Sequence, residues 1–438
     1  MPSLSSLFRI NLSDTTDRNA WYLCVEIFWA TFLYGAGTFG AAYAVHLGAT
    51  DYQIGLLSSI PALLAVVLSL AAGVFFQHTR RALVWILTTL ATHRLGHILL
   101  VALPLVGLLS SKVNLGMLAV VALILLSVPN TFVSVGFTDL VAGAIPVERR
   151  ASVFATRNII YFTTLSASTF IFGYWLGRVK FPFNYQVMFL FCVLLSLISL
   201  YFIAKVKRPE YIEKTDAEKP ALTFTGQVQL WRGAFRRENV AFVRLMSNYI
   251  LYAIGMWMAG PLYILYFVKM LGASDTWLGW NSTISFISMV GGYALWRRIL
   301  PHWGEQAALR RTIVCLGLYP ILIAIWPSLT FFLALGVAWG LLGPGTDLSQ
   351  LNLLMKILPE NTRSQYLGLY NAVINLVAFA CPMIGVTVAQ WIGLRPMLFI
   401  CGVLAIVGSL SQWIWPIKLP EVPSTETKNP GVLNPKGL

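Results

Sequence analysis

Apolar residues run along this chain in long unbroken stretches, and polar residues collect in short gaps between them. In lipid, an apolar run of about twenty residues satisfies its own backbone only as a helix. Twelve such runs are legible, at roughly 21–47, 52–76, 82–109, 115–140, 156–177, 184–204, 240–268, 276–299, 311–327, 329–355, 366–392 and 396–417. They are continuous rather than alternating, which excludes a transmembrane β-barrel. One long polar stretch, residues 205–239, interrupts the series after the sixth run. The pattern predicts an all-α integral membrane protein with twelve transmembrane helices in two pseudo-symmetric six-helix bundles. Its parts are an N-terminal segment (1–20), a first bundle (21–204), a linker (205–239), a second bundle (240–417) and a tail (418–438).

Composition narrows the class. Hydrophobic residues make up 57% of the 438 and charged residues 11%, where a soluble domain carries about a quarter charged. A soluble enzyme and a disordered chain are both excluded. With twelve spans the two termini share a side. That side holds 24 of the 31 Lys and Arg and the other side holds 5, while Arg94 and Arg244 fall inside spans. The bias predicts cytoplasmic termini and a cytoplasmic linker in a plasma membrane, or the inner membrane of a Gram-negative cell. Basic loops against an anionic leaflet account for the net charge of +14, so the lipid bilayer is the expected partner and nucleic acid is not. The five cysteines are scattered singly, with no metal or disulfide spacing.

The two halves are related. "LGATDYQIGLLSSI" (Leu47 to Ile60) and "LGASDTWLGWNSTI" (Leu271 to Ile284) share seven of fourteen positions at an offset of 224. After the fourth run of each half, Pro146, Arg150 and Asn158 align with Pro359, Arg363 and Asn371 at an offset of 213. "TDL" recurs near the end of both fourth runs, as Thr138–Leu140 and Thr346–Leu348. A six-helix unit has been duplicated.

Two parallel six-span repeats joined by a basic linker resemble the major facilitator superfamily of secondary transporters. The resemblance covers residues 20–417, and its motifs are weak. The loop between spans 2 and 3, "GVFFQHTRRALV", keeps Gly73, Arg80 and Arg81 but has no acid. The loop after span 4, with Arg150 and Arg157, looks like the basic loop of bacterial members. The resemblance implies that spans 1, 4, 7 and 10 line a central cavity. It also implies that rocking of the halves alternates access to a midplane site. In that family an acid at the end of span 4 closes the cytoplasmic gate with an arginine. Here that implies Asp139 with Arg80 or Arg81, and Asp347 with Arg297 or Arg298.

Ionisable groups within lipid are costly and need a reason. Glu26, about two turns into span 1, reads as a proton-coupling carboxylate or as a carboxylate paired with a basic neighbour. His93, Arg94 and His97 share a face of span 3. They read as an anion site or proton relay, or as a structural network that includes a partner such as Glu26. Arg244, Asn248 and Tyr252 form an i, i+4, i+8 stripe on span 7, which the resemblance would turn toward the cavity. Asn371 and Asn375 are an amide pair on span 11, suited to helix–helix hydrogen bonding or substrate contact. Pro129 interrupts span 4 and Pro344 span 10, and transporters place substrate groups at such breaks; Asn130 is therefore a cavity candidate.

No Walker loop, HExxH, GxSxG or dinucleotide glycine run is present. No enzyme activity, metal or cofactor is expected, and an ion gradient is the expected energy source. The sequence thus predicts secondary transport of a small organic solute with a proton or other coupling ion. Arg94, Arg244 and the histidines favour an anion, and Met256, Trp257 and Met258 an amphipathic one. Export of hydrophobic compounds or lipids is the alternative within transport. Outside it stands a membrane enzyme or assembly factor that kept the fold.

Overall fold

The computed structural model describes residues 13–79, 81–109, 112–207, 239–358 and 363–417, all helix and short connection. Twelve helical spans follow one another. In the first half they are α1 (Thr15–Gly37, continuing as Gly40–His46), α2 (Asp51–His78), α3 (Ala82–Gly96 and Ile98–Leu109), α4 (Leu115–Ala144), α5 (Val147–Arg178) and α6 (Phe183–Ala204). In the second they are α7 (Val240–Leu265, ending in a π-turn Tyr266–Met270), α8 (Asp275–Trp303), α9 (Glu305–Ile325), α10 (Leu329–Ile357), α11 (Arg363–Ile392) and α12 (Leu394–Ile414). The linker and the two chain ends lie largely outside the described residues.

Eleven of the twelve are long and apolar enough to cross a membrane. The other, α8, is 29 residues long and turns its polar positions inward. Its Thr283 meets Ser166 and Thr169 of α5, and its Trp296 Nε1 donates to Leu341 O of α10 at 2.8 Å. Large apolar side chains such as Leu108, Leu109, Trp391 and Ile414 stand outward, where acyl chains would cover them.

Helix boundaries overrun the apolar runs, because backbone hydrogen bonding continues through a polar turn. Asp14 caps α1 by accepting from Asp17 N, so α1 begins six residues before its apolar part. α9 begins at Glu305 and spans about 31 Å at 1.5 Å per residue, long enough for the bilayer core. The largest correction is at α5, which starts at Val147 rather than 156. Arg157 is therefore not a loop residue. It sits ten residues into a helix, with its side chain 12% exposed.

The duplication is written into the packing. α1 packs on α5 and α6, α2 on α4, and α3 on α4 and α6. In the second half α7 packs on α11 and α12, α8 on α10, and α9 on α10 and α12. The halves join along α2–α11 and α5–α8, which the same relation interchanges. The repeated turn has a local cause. Gly48 (φ +89°) and Gly272 (φ +62°) take the left-handed conformation that closes the turn. Thr50 and Ser274 then cap α2 and α8 by accepting from Gln53 N and Trp277 N.

Candidate functional site

Four helices of the first half converge on one carboxylate. Glu26 of α1 is 4% exposed. Its Oε1 accepts from Arg94 Nη2 of α3 at 3.3 Å, and its Oε2 from Arg157 Nη2 of α5 at 2.8 Å. Ser199 of α6 donates to Oε1 at 3.5 Å. Each arginine is also tied to backbone: Arg94 Nη1 donates to Ser196 O at 2.6 Å and Arg157 Nε to Leu23 O at 3.0 Å. The Arg157 guanidinium lies 4.2 Å over the ring of Phe137 on α4. Two guanidiniums about one carboxylate are planar, multi-donor partners that a lysine would not replace.

Glu26 and Arg157 form part of the wall of a cavity of about 410 Å³, with Arg94 behind it. The wall is drawn from α1, α3, α4, α5 and α6 alone. Glu26, Arg157, Asn130 and Asn158 supply its polar groups together with Ser134 and Thr138. Tyr34 and Tyr161 meet edge to face at 5.9 Å on one side. Ile86 and Leu90 lie near the start of α3, and Ile203 near the end of α6. The cavity therefore occupies the half of the bundle nearer the chain termini, here called the proximal half.

The opposite, distal end is closed by contacts between the halves. Lys269 of α7 pairs with Asp51 of α2 at 2.5 Å and also donates to Ala49 O. His46 of α1 meets Asp275 of α8 at 3.1 Å, and Tyr185 of α6 donates to the same carboxylate at 2.8 Å. Asp51 and Asp275 are the duplicated acids of the two turns, so the latch is reciprocal. Beneath it α5 and α8 touch backbone to backbone at Gly173 and Gly279. A Cβ on Gly279 would stand 2.7 Å from Gly173 Cα.

The other sequence candidates fall in separate places. Arg94 leaves its histidine neighbours and turns inward to Glu26. His97 Nδ1 faces His93 O at 2.8 Å, with the two rings 4.9 Å apart, at the break in α3. Asn130 is on the cavity wall, although Pro129 lies within an uninterrupted α4. The span 7 stripe turns toward α12 instead of this cavity. Arg244 donates to Pro416 O at 3.1 Å, and Asn248 donates to Trp415 O and accepts from Ser411. Tyr252 packs beside Tyr249. Asn375 donates to Asn371 O one turn back on its own helix.

The gate expectations separate as well. Arg80 and the Asp139 side chain lie outside the described residues, and Arg81 is exposed. Asp347 accepts from Tyr293 of α8 at 3.4 Å, and among the described residues no arginine is within ion-pair distance. Arg297 and Arg298 are exposed. Arg157 was the residue sequence reasoning missed. Its signal was its place before Asn158, the residue the repeat aligns with Asn371 well inside α11.

Twelve helices in two equivalent sets thus carry a polar cavity on one side and a closed seam on the other. Residues 245–435 match the family model of the Major Facilitator Superfamily. That match spans less than half of the chain, and the fold of the whole chain is the one the sequence resemblance implied. A crystal structure of a POT family transporter in complex with 5-aminolevulinic acid aligns with a TM-score of 0.68 at 14% identity, over 91% of this chain and 96% of that one. The nucleoside transporter NupG aligns at 0.63 and 14%, over 91% and 98%. A D-xylose-proton symporter aligns at 0.63 and 14%, over 92% and 98%. No curated protein matches the chain in sequence.

Proposed function

We propose that the protein moves a small organic solute across the membrane by alternating access, coupled to protons through Glu26. One observation carries the reading: the buried carboxylate is both an ion-pair partner of Arg94 and Arg157 and part of the cavity wall. A carboxylate so placed can exchange a proton with the cavity while its pairing reports whether the cavity is occupied. Lys and Arg bias puts the termini in the cytoplasm, so a proximal cavity with a latched distal end is an inward-facing arrangement. Fold relatives described as transporters of nucleosides, of D-xylose with protons, or in complex with 5-aminolevulinic acid support a small polar cargo.

The test uses the full chain in liposomes that hold a pH-sensitive dye, screened against a solute library. Wild type is expected to show solute-triggered proton movement. Glu26→Gln is expected to lose that movement while still exchanging labelled solute across the bilayer. Proton movement at the wild-type rate in Glu26→Gln would remove the coupling role.

A further inference from the structure

We propose that the cavity takes an organic monoanion whose oxyanion pairs with Arg157 in place of Glu26. The inference rests on the transport reading above and names the class of its cargo. Charge is the first ground. Arg94 is 2% exposed, and the Arg157 side chain 12%, while Glu26 is the one acid among the described residues of the cavity wall. Two guanidiniums against one carboxylate leave a positive excess in a water-poor site, where an uncompensated charge is costly. An anion in the cavity removes that cost.

Donor geometry is the second ground. Arg157 gives Nε to Leu23 O and Nη2 to Glu26. Its Nη1 has no protein acceptor among the described contacts and is not a sealed-off buried atom, so it remains available to an oxyanion at the cavity wall. Glu26 is held less closely by its other partners, at 3.3 Å from Arg94 and 3.5 Å from Ser199. An incoming oxyanion therefore competes for the shortest of its bonds and leaves it anchored to α3 and α6.

The rest of the wall describes the body of the anion. Tyr34, Tyr161, Phe137 and Phe154 give apolar and aromatic surface, and Asn130 and Asn158 give amide donors and acceptors. A volume of about 410 Å³ is within the range of small-ligand sites. An amphipathic anion with one ring or a short chain fits that lining. Displacement also links binding to pH, because a carboxyl released by a guanidinium is free to carry a proton. The titratable or charged groups facing Glu26 are Arg94 from α3, Arg157 from α5, and Cys24 and Tyr34 from its own helix. α4 and α6 present Phe137 and Ser199 to the cluster.

The full chain, purified in detergent, is melted with benzoate, phenyl phosphate, benzamide or benzylamine at pH 5.5 and 8. At least one anion is expected to raise the melting temperature by mass action, more strongly at pH 5.5, with neither benzamide nor benzylamine doing so. The arm that responds distinguishes a carboxylate from a phosphate. Arg157→Gln is expected to lose the shift. Glu26→Gln, which removes the internal competitor, is expected to bind the same anion at least tenfold tighter and independently of pH. If Arg157→Gln does not fold, the sign of the Glu26→Gln change decides alone, and unchanged or weaker binding overturns the proposal. So does a wild type that responds to no anion, or equally to benzamide or benzylamine. Proton movement driven only by neutral solutes would overturn the anion and keep the transport reading; anion binding with no solute movement would do the reverse.

Discussion

The two halves share a packing plan and differ in what they bury. In the first, Glu26 of α1 reaches Ser199 of α6 and is braced by Arg94 and Arg157. In the second, Asn248 of α7 reaches Ser411 of α12, and every buried polar residue described there is neutral. The position that the repeat aligns with Arg157 is Tyr370, whose ring sits 6.2 Å from Tyr249. Where Arg94 spans the α3–α6 seam to Ser196 O, the α9–α12 seam closes on a glycine, with Gly317 against Ile406 and the backbone of Ala405. A duplicated scaffold thus kept its helix contacts and, among the described residues, placed its buried charges in one copy. Under the proposed function, the second half needs only to fold and to rock against the first, while the first holds the groups that would sense a charge.

The largest expected effect comes from breaking the charged core unevenly. Arg94→Ala strips Glu26 of one of its two cations and leaves Ser196 O without its donor. Removing one member of a buried ion cluster costs about 3–5 kcal/mol. Asn248→Ala, the matching cut in the second half, loses two hydrogen bonds of a neutral group and costs about 1–3 kcal/mol. Melting in detergent should rank them in that order. The triple variant Glu26→Gln, Arg94→Met, Arg157→Met makes the first half neutral like the second. It is expected to melt close to wild type, since apolar replacement of a whole buried cluster is often neutral or stabilising, and to move no solute. A triple variant that melts as low as Arg94→Ala would mean the charges hold the bundle together rather than serve the cavity.

Much of this architecture was legible in the sequence, and the reason is physical. Lipid forces apolar continuity, so twelve spans announce themselves, and the repeat of Leu47–Ile60 in Leu271–Ile284 gives the twofold relation. Glu26 and Arg94 were visible because charge inside an apolar run is costly. Their pairing was one of the readings open, since no local pattern says which face of α1 meets which face of α3. Arg157 was hidden because it sits at the edge of the run starting at 156 and was read with the basic loop before it, although the backbone is helical from Val147. The span 7 stripe was periodic, but periodicity gives a face and not a neighbour; Arg244 and Asn248 spend it on the carbonyls that end α12. The distal latch was overlooked for a related reason. Asp51 and Asp275 were seen as repeat positions, while their partners Lys269 and His46 lie more than two hundred residues away.

An intermediate effect is expected where the halves touch. Gly279→Ala puts a methyl group 2.7 Å from Gly173 Cα, and backbone cannot yield as a side-chain tip does. Overpacking of this kind costs about 1–3 kcal/mol. Here the strain has an outlet, because α8 can move away from α5 and open the distal end. Spin labels on the distal turns of the two halves should report longer separations in Gly279→Ala than in wild type. Unchanged separations with a lowered melting temperature would mean that the α5–α8 seam is rigid packing with no part in opening.

The smallest effects should come from the latch, and there the symmetry itself can be tested. Lys269–Asp51 is about one-third exposed on both sides, so its loss in Asp51→Asn is worth at most about 1 kcal/mol. Asp275 is 10% exposed and holds both His46 and the Tyr185 hydroxyl, so Asp275→Asn gives up a hydrogen bond to a charged acceptor as well as a pair. Two acids at equivalent positions of a duplicated turn are therefore expected to differ, with Asp275→Asn opening the distal end more than Asp51→Asn. Labelling of a distal cysteine from the outside, in a background free of the native cysteines, would measure both. The double variant should exceed either single one, because the two contacts share no partner. Equal labelling in all three would assign closure to the Gly173–Gly279 approach alone and leave the acids with only their place in the first turns of α2 and α8.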